Sequence, residues 1–376
     1  RNRMEPGWTL TDFLSGKNSH YDSYPFIFDN QGVIRWYINL SHLGNLTMPI
    51  VPLKNGNLLF AYRFIAYEYD MLGQLVQEWD LGQFRQHHDI LVKENGNLLI
   101  AVNNTDLTTI SDHVIELDRS SGAVVHTWDF RNVLDMDRYV ISSSSIDWFH
   151  MNSVWPDESD GGIVASGKHQ GVVKVDAENQ LKWIFAPHAD WGLAGPNGDG
   201  LATSDYLLTA INQNGEPYST FVQMGEEAAA DFDWGWGQHA AMLLENGNLL
   251  IFDNGHPRFF NDDPTDSYSR MAEYEIDPVN MTVRQVWEFG KEYGEDLHSI
   301  IVSDVDEHAT TGNRMMSPGI IWDDGNPSTR MVEVTYPQKE VVFDVSLIFS
   351  NVHNTVEYIW HRFDLTYRSE RTRLYR

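Results

Sequence analysis

The sequence predicts an all-β chain, a six-bladed β-propeller of four-stranded antiparallel blades, and three observations predict it. A short phrase, Asn-Gly-Asn-Leu-Leu, occurs three times, at residues 55–59, 95–99 and 246–250. Tryptophans close a recurring apolar segment at Trp36, Trp79, Trp128, Trp183 and Trp287, and their first three spacings, 43, 49 and 55 residues, fit the period of about 40 to 50 of a propeller blade. No long segment keeps a 3.6-residue apolar period, so helices are not expected. Solenoid repeats are shorter than these and sandwiches do not repeat.

The elements follow in order. Around each Asn-Gly-Asn phrase an apolar strand, a tight turn at Asn-Gly and a second apolar strand form a hairpin. A third strand then ends in acid, as in Tyr67-Glu68-Tyr69-Asp70, Ile115-Glu116-Leu117-Asp118, Val173-Lys174-Val175-Asp176 and Tyr274-Glu275-Ile276-Asp277. The fourth strand ends in the tryptophan. The last tryptophan gap, 104 residues, holds one blade plus an insertion at residues 186–235, where Pro187, Gly192, Gly195, Pro196, Gly198 and Gly200 predict a long loop over one face. A sixth unit, His298 to about Leu347, lacks the tryptophan and has residues 341–345 as its fourth strand. The expectation is a single six-bladed domain over residues 1–376.

Composition narrows the function classes. A formal charge of -28 argues against a nucleic-acid partner or an anionic membrane surface, and obliges a site for an anionic substrate to supply its own positive groups. With no cysteine, disulfides, thiolate metal sites and a thiol nucleophile are excluded. No apolar run approaches the roughly 20 residues of a membrane helix. The opening Arg1-Asn2-Arg3-Met4-Glu5-Pro6 is not a signal peptide, so a mature or trimmed soluble protein is expected.

His88 lies seven residues before Asn95, and His239 seven before Asn246, so the two histidines hold one place in two repeats. First strands line the channel of a propeller, which makes Met48, His88, His150, His239 and His298 or a neighbour the positions expected to converge. Clustered imidazoles serve either as metal ligands or as nucleophile and charge stabilisers. Lys168, in Gly167-Lys168-His169-Gln170, argues against a metal and suits an anion. Aromatic residues precede the key histidines: Trp148 and Phe149 before His150, and Phe232, Trp234 and Trp236 before His239. They are either strand packing or a wall for a flat aryl substrate.

Several stretches in one order carry a resemblance over almost the whole chain: residues 147–154 followed by Gly167-Lys168-His169-Gln170, residues 232–241, Phe252-Asp253-Asn254-Gly255 with Arg258, and Tyr268-Ser269-Arg270 through Asn280-Met281-Thr282-Val283 to Trp287-Glu288-Phe289-Gly290. The chain resembles the bacterial arylsulfate sulfotransferases, which do not depend on the nucleotide sulfate donor PAPS. The resemblance implies a six-bladed propeller and sulfuryl transfer from an aryl sulfate donor to a phenolic acceptor by a ping-pong mechanism through a sulfohistidine. The family's nucleophile falls on His239. Its supporting histidines fall on His150 and, in His87-His88-Asp89-Ile90, on His88, which the repeat register selects over His87. The family's active-site arginine falls on Lys168, a departure expected to alter donor range and rate rather than reaction type. Trp148, Phe149, Asn152, His169, Trp234, Trp236 and His87 are the residues expected around the substrate.

No cofactor is expected, neither PAPS nor a metal, and no nucleic acid or membrane span. A periplasmic or secreted location is implied by the relatives alone. Two further departures are expected: the family's separate N-terminal β-sandwich domain is not among these residues, whether lacking or removed, and residues 225–230 take the place of its cysteine-bounded loop; a disulfide-independent branch is implied, and oligomeric state does not carry over. Two other functions stay open: a propeller binding module without turnover, and a histidine-based lyase or hydrolase acting on sulfated polysaccharide.

Overall fold

The computed structural model describes residues 3–11, 14–17, 20–43, 49–261, 267–323, 326–348 and 369–372. The chain is all-β and carries the six antiparallel blades of the expected six-bladed β-propeller. It divides into two compact units, Leu81–Glu292 and the pair of segments Arg1–Asp80 and Tyr293–Arg376. No helix among the described residues is long and apolar enough to cross a membrane.

The two-segment unit holds blades 1, 2 and 6. Blade 1 is Trp8–Thr11, Phe26–Phe28 and Ile34–Tyr37, with Ser369–Thr372 paired antiparallel to Trp8–Thr11, so chain ends distant in sequence share one sheet. Blade 2 is Val51–Pro52, Leu58–Tyr62, Ile65–Tyr69 and Leu75–Asp80. Blade 6 is Asp304–Glu307, Arg314–Ser317, Asn326–Val334 and Val341–Ile348, with the short Ile321–Asp323 folded back on its long third strand.

The continuous unit holds blade 3 (Phe84–Val92, Leu98–Asn104, His113–Leu117, Val124–Asp129), blade 4 (Met151–Asp157, Gly162–Gly167, Gly171–Val175, Leu181–Phe185) and blade 5 (His239–Leu243, Leu249–Asp253, Arg270–Asp277, Thr282–Phe289). One apolar core, with Leu99, Trp128, Phe149 and Ile184, joins blades 3 and 4, and a second, with Val172, Phe185, Trp234 and Tyr274, joins blades 4 and 5.

The repeated sequence signals acquire physical reasons. Each Asn-Gly-Asn hairpin has a three-residue loop rather than a two-residue one, because Gly56, Gly96 and Gly247 sit at φ near +85 to +88° and close a bulged turn. Both asparagines of the phrase then reach a buried glutamate of the third strand: Asn55 and Asn57 donate to Glu68 (2.9 and 2.6 Å), and Asn95 and Asn97 to Glu116 (3.1 and 2.6 Å). Asn248 does the same to Glu273 at 2.7 Å, and Asn313 to Glu333 at 2.7 Å.

Blade 4 inverts the charges. Lys174 stands at the glutamate's register and donates to Asp160 (2.6 Å) and Asp157 (2.8 Å). Where the third strand ends, an aspartate caps the turn into the fourth: Asp70 accepts from the N–H groups of Leu72 and Gln74, and Asp176 from those of Glu178 and Gln180. The closing tryptophan latches the next blade at this turn. Trp36 donates to Met71 O (2.8 Å) and Trp128 to Asp176 O (2.9 Å).

The insertion is more ordered than a loop. Thr209–Ala210 adds a parallel fifth strand to the outer edge of blade 5, pairing with Thr282 and Val283. A single helical turn, Thr220–Met224, follows, capped by the Ser219 hydroxyl and by Gly225 in the left-handed region at φ 78°. Its strand had no sequence signal of its own, since two residues are too few for an alternation.

Candidate active site

The innermost strands of blades 3, 4 and 5 pack side by side and are stitched by side chains. Asp89 Oδ2 accepts from Val154 N (3.0 Å), Asn152 Nδ2 donates to Gln238 O (2.7 Å), and Ser153 Oγ accepts from Ala241 N (2.9 Å). All three strands break register near their first residues, between Gln86 and Ile90, Met151 and Ser153, and His239 and Met242. At or beside the breaks His88 (φ 64°), His150 (φ 51°) and Ala240 (φ 51°) take left-handed backbone, which costs about 1–2 kcal/mol apiece and turns side chains out of the strand's alternation.

Register places the residues. Leu91, Trp155 and Met242 face the same rung of their hairpins, opposite Leu99, Val164 and Leu250. Three positions earlier stand His88, Asn152 and His239. The equivalence of His88 and His239 therefore holds, but the matching residue in blade 4 is Asn152. His150 joins the group from two residues earlier in the chain, because the bulge in blade 4 lies one rung away from that in blade 5.

The imidazoles nevertheless gather. Ring centroids lie 4.1 Å apart for His87 and His88, 5.5 Å for His88 and His150, 5.9 Å for His87 and His150, and 5.0 Å for His150 and His169. His150 Nδ1 bonds Asp147 Oδ2 at 2.5 Å, and His169 Nδ1 donates to Asp147 O at 2.9 Å. Asp147 sits below the usual carboxylate range: burial opposes this, and the His150 bond and charge outweigh it. Burial, then the neighbouring His150, lowers His87 to about 3 and His169 to about 4. Burial likewise holds His88 well below its ordinary value, with His87 and His150 adding to the effect.

His239 is 3% exposed and the most constrained of the group. Its Nδ1 faces Asn254 Oδ1 at 2.7 Å and Gly237 O at 3.1 Å. A carbonyl only accepts, so Nδ1 carries the proton and Nε2 keeps its lone pair. Burial, then Lys168, lowers its pKa to about 3, so the ring is neutral at pH 7. Gln238 anchors the preceding peptide by donating to Gly167 O (3.0 Å) and Ser166 Oγ (3.3 Å).

Lys168, half-buried in the turn after the second strand of blade 4, donates from its backbone N to His150 O at 3.0 Å. Among the described residues no carboxylate lies within ion-pair distance of its Nζ. Burial lowers its pKa, and Asp147 opposes that.

A buried ionic lattice supports the His239 segment. Asp253 accepts from Trp236 N (2.9 Å), Gly255 N (2.9 Å), Arg270 Nε (2.8 Å) and Arg258 Nη2 (3.2 Å); Arg258 also pairs with Asp233, and Arg270 bonds the carbonyls of Asp233 (3.0 Å) and Trp234 (3.3 Å). Sequence reasoning assigned no role to Asn254, Asp147 or this lattice. Their signal was present in the quoted Phe252-Asp253-Asn254-Gly255 and Asp147 stretches, yet which atoms meet is a tertiary matter.

The four aromatic residues expected around the substrate are interior. Trp148 and Trp234 are 1% exposed, and Phe149 and Trp236 0%. Their indole N–H groups are engaged, Trp148 by Asp112 Oδ2 (3.0 Å), Trp234 by Val222 O (2.8 Å) and Trp236 by Asp233 Oδ1 (3.0 Å). An aryl wall needs free ring faces, so of the two readings packing holds. Phe149 fills the space at Gly167, where a Cβ would overlap its ring. Asp112 also holds His113 (2.6 Å), whose far nitrogen meets Asp129 at 3.5 Å; burial opposes protonation, but the two carboxylates raise His113 to about 9.

Of the remaining candidates, Met48 lies outside the described residues, and His298 belongs to the other compact unit. Among the described residues no group of three or more histidine or acidic side chains is arranged to hold a metal ion. The assembled chemistry is a neutral nucleophilic nitrogen, an ammonium without an ion-pair partner and neutral imidazoles, which suits attack on an anionic, electrophilic centre.

A family model described as arylsulfotransferase (ASST) matches residues 5–358. Among curated proteins, an arylsulfate sulfotransferase AssT of Escherichia coli O6:H1 is 30% identical over 88% of this chain and 64% of its own length. One of Lelliottia amnigena is 28% identical over 89% of this chain and 65% of its own length. This chain thus spans less than two thirds of either relative. Among solved structures, a Bacteroides caccae protein of unknown function superposes with a TM-score of 0.53 at 12% identity, covering 91% of this chain and 94% of that one, a likeness of fold alone.

Proposed function

The chain belongs to the arylsulfotransferase family, and on that premise we propose that it moves a sulfuryl group from an aryl sulfate ester to a phenolic acceptor by a ping-pong route through a sulfohistidine on His239. The observation that carries this reading is the Nδ1 pairing of His239 with two oxygen acceptors, which leaves Nε2 neutral with its lone pair available as a nucleophile. The transferring group keeps its negative charge on peripheral oxygens, so fixed donors and cations dominate its stabilisation. Lys168, His88 and His150 take that part. Asn152, His169 and His87, close to the same strands, contact the ester. No PAPS, metal or other cofactor enters the reaction. Work in the periplasm or outside the cell belongs to the same proposal.

The test is release of 4-nitrophenol or 4-methylumbelliferone from its sulfate ester, with and without an added phenol, and parallel double-reciprocal plots as donor and acceptor are varied. Acceptor-dependent release with parallel lines supports the reading. Release indifferent to acceptor points to a hydrolase, and none at all to a binding module.

A further inference from the structure

A departing aryl oxygen takes the electron pair of the broken S–O bond, and the conjugate acid of that phenolate, the phenol, has a pKa of about 10. Turnover of unactivated esters therefore needs a proton donor beside His239. Most of the surrounding imidazoles are poor candidates. His87, His88, His169 and His239 are all held neutral by burial, so at pH 7 none has the extra proton to give.

We infer that Lys168 is the acid and base of the transfer proposed above: its Nζ gives a proton to the oxygen of the departing aryl group and later takes one from the hydroxyl of the acceptor. The inference rests on that reading. In the first step His239 Nε2 attacks sulfur, the N–S bond forms and the S–O bond breaks, its electron pair goes to the aryl oxygen, and the Nζ proton follows, leaving a neutral amine. In the second step the amine takes the acceptor's proton, the acceptor oxygen attacks sulfur, and the N–S electron pair returns to Nε2. The lysine is restored and nothing else is consumed.

Geometry supports the assignment. The lysine stem runs against the peptide of the nucleophile, with Lys168 Cε 3.9 Å from the place a Cβ would occupy on Gly237, two residues before His239. The backbone bond from Lys168 N to His150 O, together with the Phe149 ring filling the space at Gly167, fixes the turn that carries it. The titratable groups electrostatically coupled to it are Asp147 and His169 of blade 4, His88 of blade 3 and His239 of blade 5, while the His150 carbonyl accepts its backbone N–H. Asp147, the carboxylate whose field reaches it, has Oδ2 committed to His150. Its ammonium is therefore desolvated without an ion pair, and burial makes it a stronger acid than an ordinary lysine, readier to give up its proton. A guanidinium remains charged at any working pH and could supply charge but no proton.

The experiment compares turnover of 4-nitrophenyl sulfate, whose leaving group needs little help, with that of phenyl sulfate, in the wild type, Lys168→Arg, Lys168→Gln and His150→Asn. The ratio of the two rates should rise about a hundredfold in both lysine variants. It should stay at the wild-type value in His150→Asn, whatever that change does to absolute turnover. Wild-type turnover of phenyl sulfate should also fall as pH rises through the pKa of Lys168, a limb missing in Lys168→Arg. An unchanged ratio in the lysine variants, or a ratio that moves in His150→Asn instead, overturns the role of Lys168 and leaves the transfer reading standing. A wild type that shows no acceptor-dependent turnover of either ester overturns both.

Discussion

The first strands of blades 3 and 5 each run between two ends built on opposite rules. At the hairpin end, Asn95 and Asn97 or Asn248 clamp a buried glutamate, the turn glycine takes the conformation only glycine adopts cheaply, and the polar groups that meet there are paired. At the other end the register breaks, histidine and alanine adopt left-handed backbone, and imidazoles are desolvated with an ammonium close by. One end stabilises. The other holds strained, under-solvated groups in place, as sites that do chemistry commonly do. The repeat's loudest sequence signal thus marks the paired, stabilising end, and serves as a ruler to the end that gathers the imidazoles.

The comparison can be broken most severely at the strained end. His239→Ala should lower acceptor-dependent turnover by roughly 10⁴-fold or more and abolish trapping of labelled sulfuryl on the protein, with the melting temperature nearly unchanged; retained turnover would reassign the nucleophile. Next comes Asn254→Ala, which removes a partner of His239 Nδ1. It should reduce kcat by about 10²-fold with little change in KM, and Asn254→Asp, which keeps an acceptor, should recover most of the loss. An equal rise in KM would mean that Asn254 holds substrate rather than the ring.

At the hairpin end the expected effects are on stability alone. Lys174→Glu would set a third carboxylate beside Asp157 and Asp160 and should destabilise by about 3 kcal/mol, read from denaturant midpoints. Adding Asp160→Asn rebuilds the amide–glutamate clamp of the other blades and should return part of it. If the double variant is no better than the single, the blades are not equivalent in the way their registers indicate.

The smallest effects are in pH dependence. His113, raised to about 9 in the fold, lies above the unfolded value of about 6.5, so its contribution is complete below about 6.5 and disappears as pH climbs through about 9. His87 and His239, at about 3, act with the opposite sign: as pH falls below about 6.5 the unfolded chain takes up protons first, and stability declines toward about 3. Denaturation midpoints across this range should give a dome whose alkaline limb flattens in His113→Gln and whose acid limb flattens in His87→Asn. A change of the wrong limb in either variant would show that the carboxylates, not these imidazoles, set the profile.

Much of the fold was legible because its rules are local. An Asn-Gly turn, an aspartate cap and a closing tryptophan each act within a few residues or on the next blade's turn, so they recur as text. The offset shared by His88 and His239 was legible for the same reason. His150 was harder. A bulge shifted by one rung changes which residue of blade 4 corresponds to that pair, and nothing in the order of side chains announces where a bulge falls. The tryptophans near His150 and His239 left two readings open in sequence, since a ring that fills a core and a ring that faces a ligand have the same composition.

Alone, the amino-acid order determined the blade period, the hairpin positions, the absence of thiol chemistry and the identity of the histidines to inspect. Only the tertiary structure decided that Asn254 and Gly237 O both face His239 Nδ1, that Asp147 is committed to His150, that four aromatic rings are interior, and that Lys168 is desolvated without an ion pair. The physical reason is range. Turn chemistry and strand alternation are written in neighbouring residues, whereas a tautomer and the solvation of an ammonium depend on atoms brought from three blades into one place.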